Sequence, residues 1–135
     1  AAVEEGVVMG GGAAFALAYR ELKETLTADS VDEQKGMSAV FEAILSPLWQ
    51  IAENAGYDGT EIVNKQLKQA EGIGFDAKLG EWVNLVDRGI VDPTKVTRSA
   101  LSNAASIAAL FLTTEAAVAS KPEPKGPQLP DPSMY

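Results

Sequence analysis

The sequence predicts a mainly α protein, a helical bundle carrying one small β-hairpin, and three observations lead there. Apolar residues recur at the 3.6-residue spacing of a helix face over most of the chain. Polar start signals (Ser30, Asp58 and Asp92) stand ahead of separate periodic stretches. A single glycine-punctuated segment, with glycines at 72, 74, 80 and 89, interrupts the pattern.

The elements follow in order. Ala1 to Gly6 reads as the tail of a helix begun upstream, as if the chain were part of something longer. After Gly10-Gly11-Gly12, the stripe Phe15, Ala18, Tyr19, Leu22, Leu26 predicts a helix. Ser30 and Glu33 have the spacing of a capping box, in which the serine oxygen accepts from the N3 amide. The helix they open carries Met37, Val40, Phe41 and Ile44 on one face. Ser46-Pro47 is expected to break and restart it, because proline suits a first turn and not an interior. Leu48, Ile51 and Ala52 then continue the stripe to Gly56. Asp58 and Glu61 predict the N-cap and N3 of a short helix through Ile62, Val63 and Leu67. Between Gly72 and Asp92 two short strands or a hairpin are expected, with one helical turn near Trp82 to Asp87. Asp92-Pro93-Thr94 predicts the start of the longest helix, with Asp as N-cap and Pro at N1. Its segment Ala104 to Leu112 is apolar nearly all round, the mark of a helix buried on most sides. Lys121 to Tyr135 holds five of the seven prolines and is expected to be an extended or disordered tail.

Composition narrows the chemistry. The 135 residues hold 11 Lys plus Arg against 19 Asp plus Glu, a net charge of −8. That acidity argues against nucleic acid and anionic membrane as partners, since both require cationic patches. Without cysteine or histidine, disulfides, thiolate zinc sites, cysteine nucleophiles and imidazole acid–base schemes are excluded. No stretch reaches the ~20 apolar residues of a membrane span.

Candidate sites are few. Gly10-Gly11-Gly12 can bring backbone amides close to a nucleotide, or can simply be a turn or hinge. It is no P-loop, because no Gly-Lys-Ser/Thr follows, and no strand clearly precedes it as a dinucleotide fingerprint requires. In Gly89-Ile90-Val91-Asp92-Pro93-Thr94-Lys95 the acid can accept from ribose hydroxyls while Ile90 packs on a base; a plain N-cap is the alternative. Asp76-Ala77-Lys78 can edge a pocket or only turn the chain. Trp49 and Trp82 are read as core or interface residues, and Glu21, Glu24 and Glu42 as a solvated surface.

Taken together, the run Ala1 to Gly12, the run Asp92 to Leu101, Asn103-Ala104-Ala105-Ser106-Ile107-Ala108 with Thr113-Thr114-Glu115, and Pro47-Leu48, Gln50-Ile51 and Asn54-Ala55-Gly56 closely resemble the large subunit of group I (GroEL-type) chaperonins. The resemblance covers Ala1 to about Ala119. It implies the C-terminal part of the equatorial domain over 1–119, a mainly helical ATP-binding domain that makes most ring contacts, followed by a tail over 120–135. Gly6 matches a hinge glycine. Gly10 and Gly11 match glycines against ribose and base, Asp76, Ala77 and Lys78 the adenine side, Ile90 the apolar base contact, and Asp92 the acid on the ribose hydroxyls.

Departures accompany the match. The position of Asp76 is commonly Asn in the family, Lys78 stands where a small residue is frequent, and Trp49 replaces a basic residue of inter-ring contacts. The tail is Pro-rich, without Gly-Gly-Met repeats. By the resemblance, the phosphate loop, the metal-binding carboxylate and the catalytic aspartate all precede Ala1, so Mg²⁺ would be held by residues outside this segment. The implied parent is an ATP-driven folding machine, a homo-oligomeric ring that takes unfolded polypeptides and a co-chaperonin through domains absent here. It would be cytoplasmic if bacterial, and otherwise in an organelle matrix or plastid stroma. A stand-alone helical scaffold without catalysis is the rival reading, and a small independent enzyme a weaker one, since no nucleophile–base pair is recognisable. A segment parted from its domain should leave Phe15, Val40 and Ile107 short of partners.

Overall fold

A computed structural model describes residues 1–114 together with 116, 118 and 119; the expected Pro-rich tail lies outside the described residues. The fold is mainly helical, as expected: α1 (Ala2–Glu5), β1 (Val7–Met9), α2 (Ala13–Thr25), α3 (Val31–Asn54), α4 (Gly59–Gln66), β2 (Ile73–Asp76), β3 (Glu81–Asn84), β4 (Val91–Pro93) and α5 (Thr94–Leu112). Two compact units divide at Ser102 and Asn103.

In the first unit, α2, α3 and α4 gather around a core of Ala16, Leu48, Ala52, Ile62, Val63 and Phe75. Both predicted caps form. Ser30 Oγ accepts from Glu33 N at 3.1 Å, but the reciprocal bond runs one residue upstream, from Asp29 N to Glu33 Oε2 at 2.7 Å. Asp58 Oδ1 accepts from Glu61 N at 3.0 Å. The expected break at Pro47 does not occur, and α3 runs through it. Proline removes one donor from the helix, while an unbroken helix stacks Ile44, Leu48 and Ala52 on one buried face; burial of that stripe, at ~1.5–3 kcal/mol per large side chain, outweighs the lost hydrogen bond.

The buried face of α2 also differs from expectation. Its deepest residues are Ala13 and Ala16. The predicted stripe is half-buried at Phe15, Ala18 and Tyr19 and exposed at Leu22 and Leu26. Small residues win because α2 starts hard against α3: a Cβ on Gly12, whose φ is +80°, would stand 2.7 Å from Leu48 N.

The hairpin is β2 with β3, antiparallel, with Phe75 opposite Trp82. Trp82 is therefore in a strand, not in the helical turn expected there; its ring lies 5.4 Å from that of Phe75, which meets Tyr57 edge-on at 5.0 Å. Stacking these rings on one sheet face favours the extended backbone. A second two-stranded ribbon, absent from the sequence reading, pairs β1 with β4. Asp92 and Pro93 belong to β4, so α5 begins at Thr94 and Asp92 is not its N-cap. Proline is tolerated there because an edge position needs no donor.

α5 has 19 residues against 24 in α3, so it is not the longest helix. Nor is it buried: none of its residues is, and in the second unit Ile107, Leu110, Phe111 and Leu112 are exposed. Apolarity all round states what a helix needs covered, not that a cover is present. Val40 is exposed as well, and Phe15 half-buried.

Two exposed ion pairs tie α1 to the start of α5, Glu4 with Lys95 and Glu5 with Arg98, the second bidentate at 2.6 and 3.0 Å. Its hydrogen bonds, then its charge, hold the Glu5 carboxyl below the usual glutamate value and raise Arg98.

Packing and charge together lead to three predictions. Gly12→Ala combines left-handed strain of roughly 1–3 kcal/mol with a backbone clash, so its urea midpoint falls by more than strain alone requires. Gly36→Ala, mid-helix with nothing within 4 Å, raises the midpoint through a stability gain of about 0.5–1 kcal/mol. For the ion pair, a lowered folded pKa means that the contact stabilises above the unfolded glutamate value (~4.3) and is lost as pH falls through the folded one. Carboxyl-carbon NMR titration should find Glu5 below its ordinary value, and Arg98→Gln should return it there.

Candidate functional site

The β1–β4 ribbon brings together segments some eighty positions apart in the chain. Met9 faces Val91 and Val8 faces Asp92 across it, and Gly10 N donates to Ile90 O at 2.9 Å. Residue 10 lies so close to this partner that a Cβ would stand 3.1 Å from the Ile90 carbonyl and from Val91 N; only glycine fits without displacement. The chain then turns through Gly11 into α2. A strand thus does precede the glycines, contrary to expectation. Three residues between Gly6 and Gly10 are too few to show a two-residue period.

The β2–β3 turn supplies the facing wall. Asp76 is 8% exposed. Its Oδ1 accepts from Lys78 N at 3.0 Å and Leu79 N at 3.2 Å, and its carbonyl accepts from Gly80 N at 2.8 Å. The carboxylate therefore builds the turn that presents Ala77 and Lys78, as aspartate does where it satisfies amides two and three residues on.

Between ribbon and turn lies a cavity of about 470 Å³, lined by Gly11, Ile51, Phe75 to Leu79, Arg88 and Ile90. Of the residues singled out from sequence, Gly11, Asp76, Ala77, Lys78 and Ile90 share this wall, whereas Gly10 and Asp92 stand in or beside the ribbon behind it and do not line it. Ile51, Phe75, Leu79 and Arg88 were missed. Ile51 carried a signal misread as core: it belongs to the α3 stripe yet is 38% exposed. Arg88 sits in a turn, where it also pairs with Glu81 at 3.3 Å, and no local pattern marks it.

Chemically, the cavity offers an apolar slot of Ile51, Phe75, Ala77 and Ile90 with one carboxylate and two cationic side chains. That suits a flat ligand held by its faces and oriented by a few polar contacts. Among the described residues no three acidic side chains stand together as a metal site, and the lining includes no hydroxyl nucleophile.

Comparison with known proteins returns one family. The model of the TCP-1/cpn60 chaperonin family matches residues 1–122. The chain is 50% identical over its whole length to the chaperonin GroEL of Acholeplasma laidlawii, covering 25% of it. It is 52% identical over 93% of its length to the chaperonin GroEL of Aster yellows witches'-broom phytoplasma, covering 23% of that protein. Among solved structures, a crystal structure of a group III chaperonin in the open state matches 87% of the chain with a TM-score of 0.75 at 33% identity, over 25% of that chain. An open-state monomer of a group II chaperonin from Methanococcoides burtonii matches 80% with a TM-score of 0.68 at 27% identity, over 28% of that chain. The chain thus spans about a quarter of the length of the curated relatives it matches.

Proposed function

The chain belongs to the TCP-1/cpn60 chaperonin family and is equatorial-domain sequence of the GroEL type; from that premise we propose that it supplies the ribose and adenine side of an ATP site in a ring-forming folding machine. The observation that carries the proposal is the convergence of Gly11 and Ile90 with Asp76, Ala77 and Lys78 on one cavity. Gly11 lets a ligand approach the backbone. Ile90 and Ala77 offer an apolar surface to a base, and burying a base against such walls is favourable at ~25 cal/mol per Å². Asp92 does not line the cavity; its part as acceptor for ribose hydroxyls is carried by the resemblance alone, an ionised carboxylate being an acceptor.

ATP supplies the phosphoryl chemistry that drives the parent, and Mg²⁺ would be held by residues outside this segment. This chain's own part is to hold and orient the nucleoside. Phosphoryl transfer depends on charge placed at the phosphates, and none of the lining residues is a hydroxyl nucleophile or part of an acidic cluster. In the parent, Gly6 absorbs hinge rotation: its φ is +78° and no atom lies within 4 Å of where its side chain would be. The exposed Ile107, Leu110, Phe111 and Leu112 of α5 pack against the rest of a subunit. Other subunits of a homo-oligomeric ring are the partners; unfolded polypeptide and co-chaperonin engage elsewhere in the parent. The bacterial sources of both curated relatives favour a cytoplasmic setting.

A titration of the ¹⁵N-labelled chain with ATP tests this. The amides of Gly11, Ala77 and Ile90 should shift with a Kd near ~1 mM, about −4 kcal/mol. Ile90→Asp should remove the response, and phosphate release should stay at the buffer rate with Mg²⁺ present. Shifts confined to another face would overturn the assignment, and Mg²⁺-dependent turnover by the purified chain would refute the division of labour.

A further inference from the structure

The β1–β4 ribbon has two strands, and the outer edge of β1 is open. Gly10 N donates to Ile90 O, and Thr94 N donates to Gly6 O. Bonded and non-bonded pairs alternate along an antiparallel ladder. With Val7 opposite Pro93, Val8 opposite Asp92 and Met9 opposite Val91, the bonded pair between those two ends is Val8 with Asp92. Pro93 fits this parity, since its place opposite Val7 calls for no donor. Val7 and Met9 therefore turn their N–H groups away from β4. Among the described residues neither N–H donates to another backbone group. Beside this edge runs a groove of about 480 Å³ lined by Val7, Val8 and Met9, by Leu17 and Ala18 of α2, and by Val86. Successive side chains of a strand point to opposite faces, so a groove that meets three in a row follows the strand's edge and not one of its faces. Glu21 and Glu71 also line it, and none of the ion pairs among the described residues involves either.

We propose that this edge and groove form a docking site for an extended segment of another polypeptide chain, apolar in its middle and cationic at its ends, which adds to the ribbon as a third strand. The outward N–H groups of Val7 and Met9 supply the main-chain pairing, the usual source of affinity when a strand is added to a sheet. Leu17, Ala18 and Val86 cover its apolar side chains, which favours β-branched residues there. Glu21 and Glu71 select lysine or arginine at its ends, and the net charge of −8 attracts such a segment from a distance. A second copy of this chain suits the site less, because its own β1 would bring two more carboxylates to the same seam. The groove shares no lining residue with the cavity assigned to the nucleotide, so the two readings stand or fall separately.

The probe is the capped peptide Lys-Val-Ile-Val-Lys, titrated into the ¹⁵N-labelled chain, with Glu-Val-Ile-Val-Glu and a backbone N-methylated Lys peptide as controls. Strand addition has an alternating signature: the Val7 and Met9 amides should shift and exchange more slowly with solvent, while Val8, already bonded to Asp92, changes little. The Lys peptide should bind about fivefold more tightly than the Glu peptide, the worth of two exposed ion pairs, and the N-methylated one should give no response. Replacing both acids (Glu21→Gln with Glu71→Gln) should remove the preference for lysine and leave thermal unfolding unchanged, since both side chains are exposed. Uniform shifts over residues 7 to 9, equal binding of the Lys and Glu peptides, or no response at all would overturn the proposal. So would protection of Val7 and Met9 that grows with the concentration of the chain alone, which would make a second copy the occupant.

Discussion

The geometry of the cavity depends on one backbone pairing, the ribbon of β1 with β4. Each strand has three residues, and closing a chain segment of this length costs a few kcal/mol of entropy. Ribbon hydrogen bonds at ~0.5–1.5 kcal/mol each do not leave much margin. The ladder is extended at both ends by bonds outside the strands proper, Gly10 N to Ile90 O and Thr94 N to Gly6 O. The ion pairs of Glu4 and Glu5 with α5 lie beyond, but they are exposed and screened. The ribbon does the holding, and they orient what precedes Gly6. Gly11 and Ile90 lie just beyond the ribbon's end, so any slip in register would carry both out of the cavity wall.

The second constraint is close approach. Gly12 against Leu48, Gly10 against Ile90 and Gly74 against Leu85 are places where a Cβ would stand within about 3 Å of another residue. Ala13 and Ala16 extend the same economy of size along α2. The α2–α3 contact is thus made by backbones drawn together over small residues, while larger apolar side chains such as Leu22, Val40 and Leu26 remain outside. In α5 the imbalance is greater, with Ile107, Leu110, Phe111 and Leu112 all uncovered. These faces are uncovered among the described residues of a chain that spans a quarter of its relatives' length.

The helices were legible because their signals are local. Ser30 with Glu33 and Asp58 with Glu61 are short-range hydrogen-bond geometries, so the caps could be read before any tertiary contact was known. The failures share the opposite cause. Pro47 looked like a break because the reading counted its missing donor and not the stripe it would sever. Asp92-Pro93 looked like an N-cap and N1 because β1, the partner that pulls both into a strand, lies more than eighty positions away. Apolar α5 looked buried because periodicity reports demand for cover and not supply. At the cavity, Gly11, Asp76, Ala77, Lys78 and Ile90 were marked by local patterns (a glycine run, a turn, an apolar residue beside an acid) and given roles through resemblance, whereas Ile51 and Arg88 arrive there only through three-dimensional convergence.

Asp76 shows how fold and site can be separated at a single side chain. Everything the fold asks of residue 76 is met by one acceptor oxygen and by the backbone carbonyl that receives Gly80 N. Asparagine meets both demands without placing a charge in a position that is 92% shielded by the rest of the chain. Two backbone amides meet one of its oxygens, Lys78 and Arg88 line the same cavity, and the aromatic core of Phe75 with Trp82 and Tyr57 lies on the other side of the turn's strand pair. The two backbone amides of the turn donate to an ionised oxygen, and such charge-assisted bonds are stronger than those to a neutral carbonyl, so the turn itself recovers part of the solvation that folding removed.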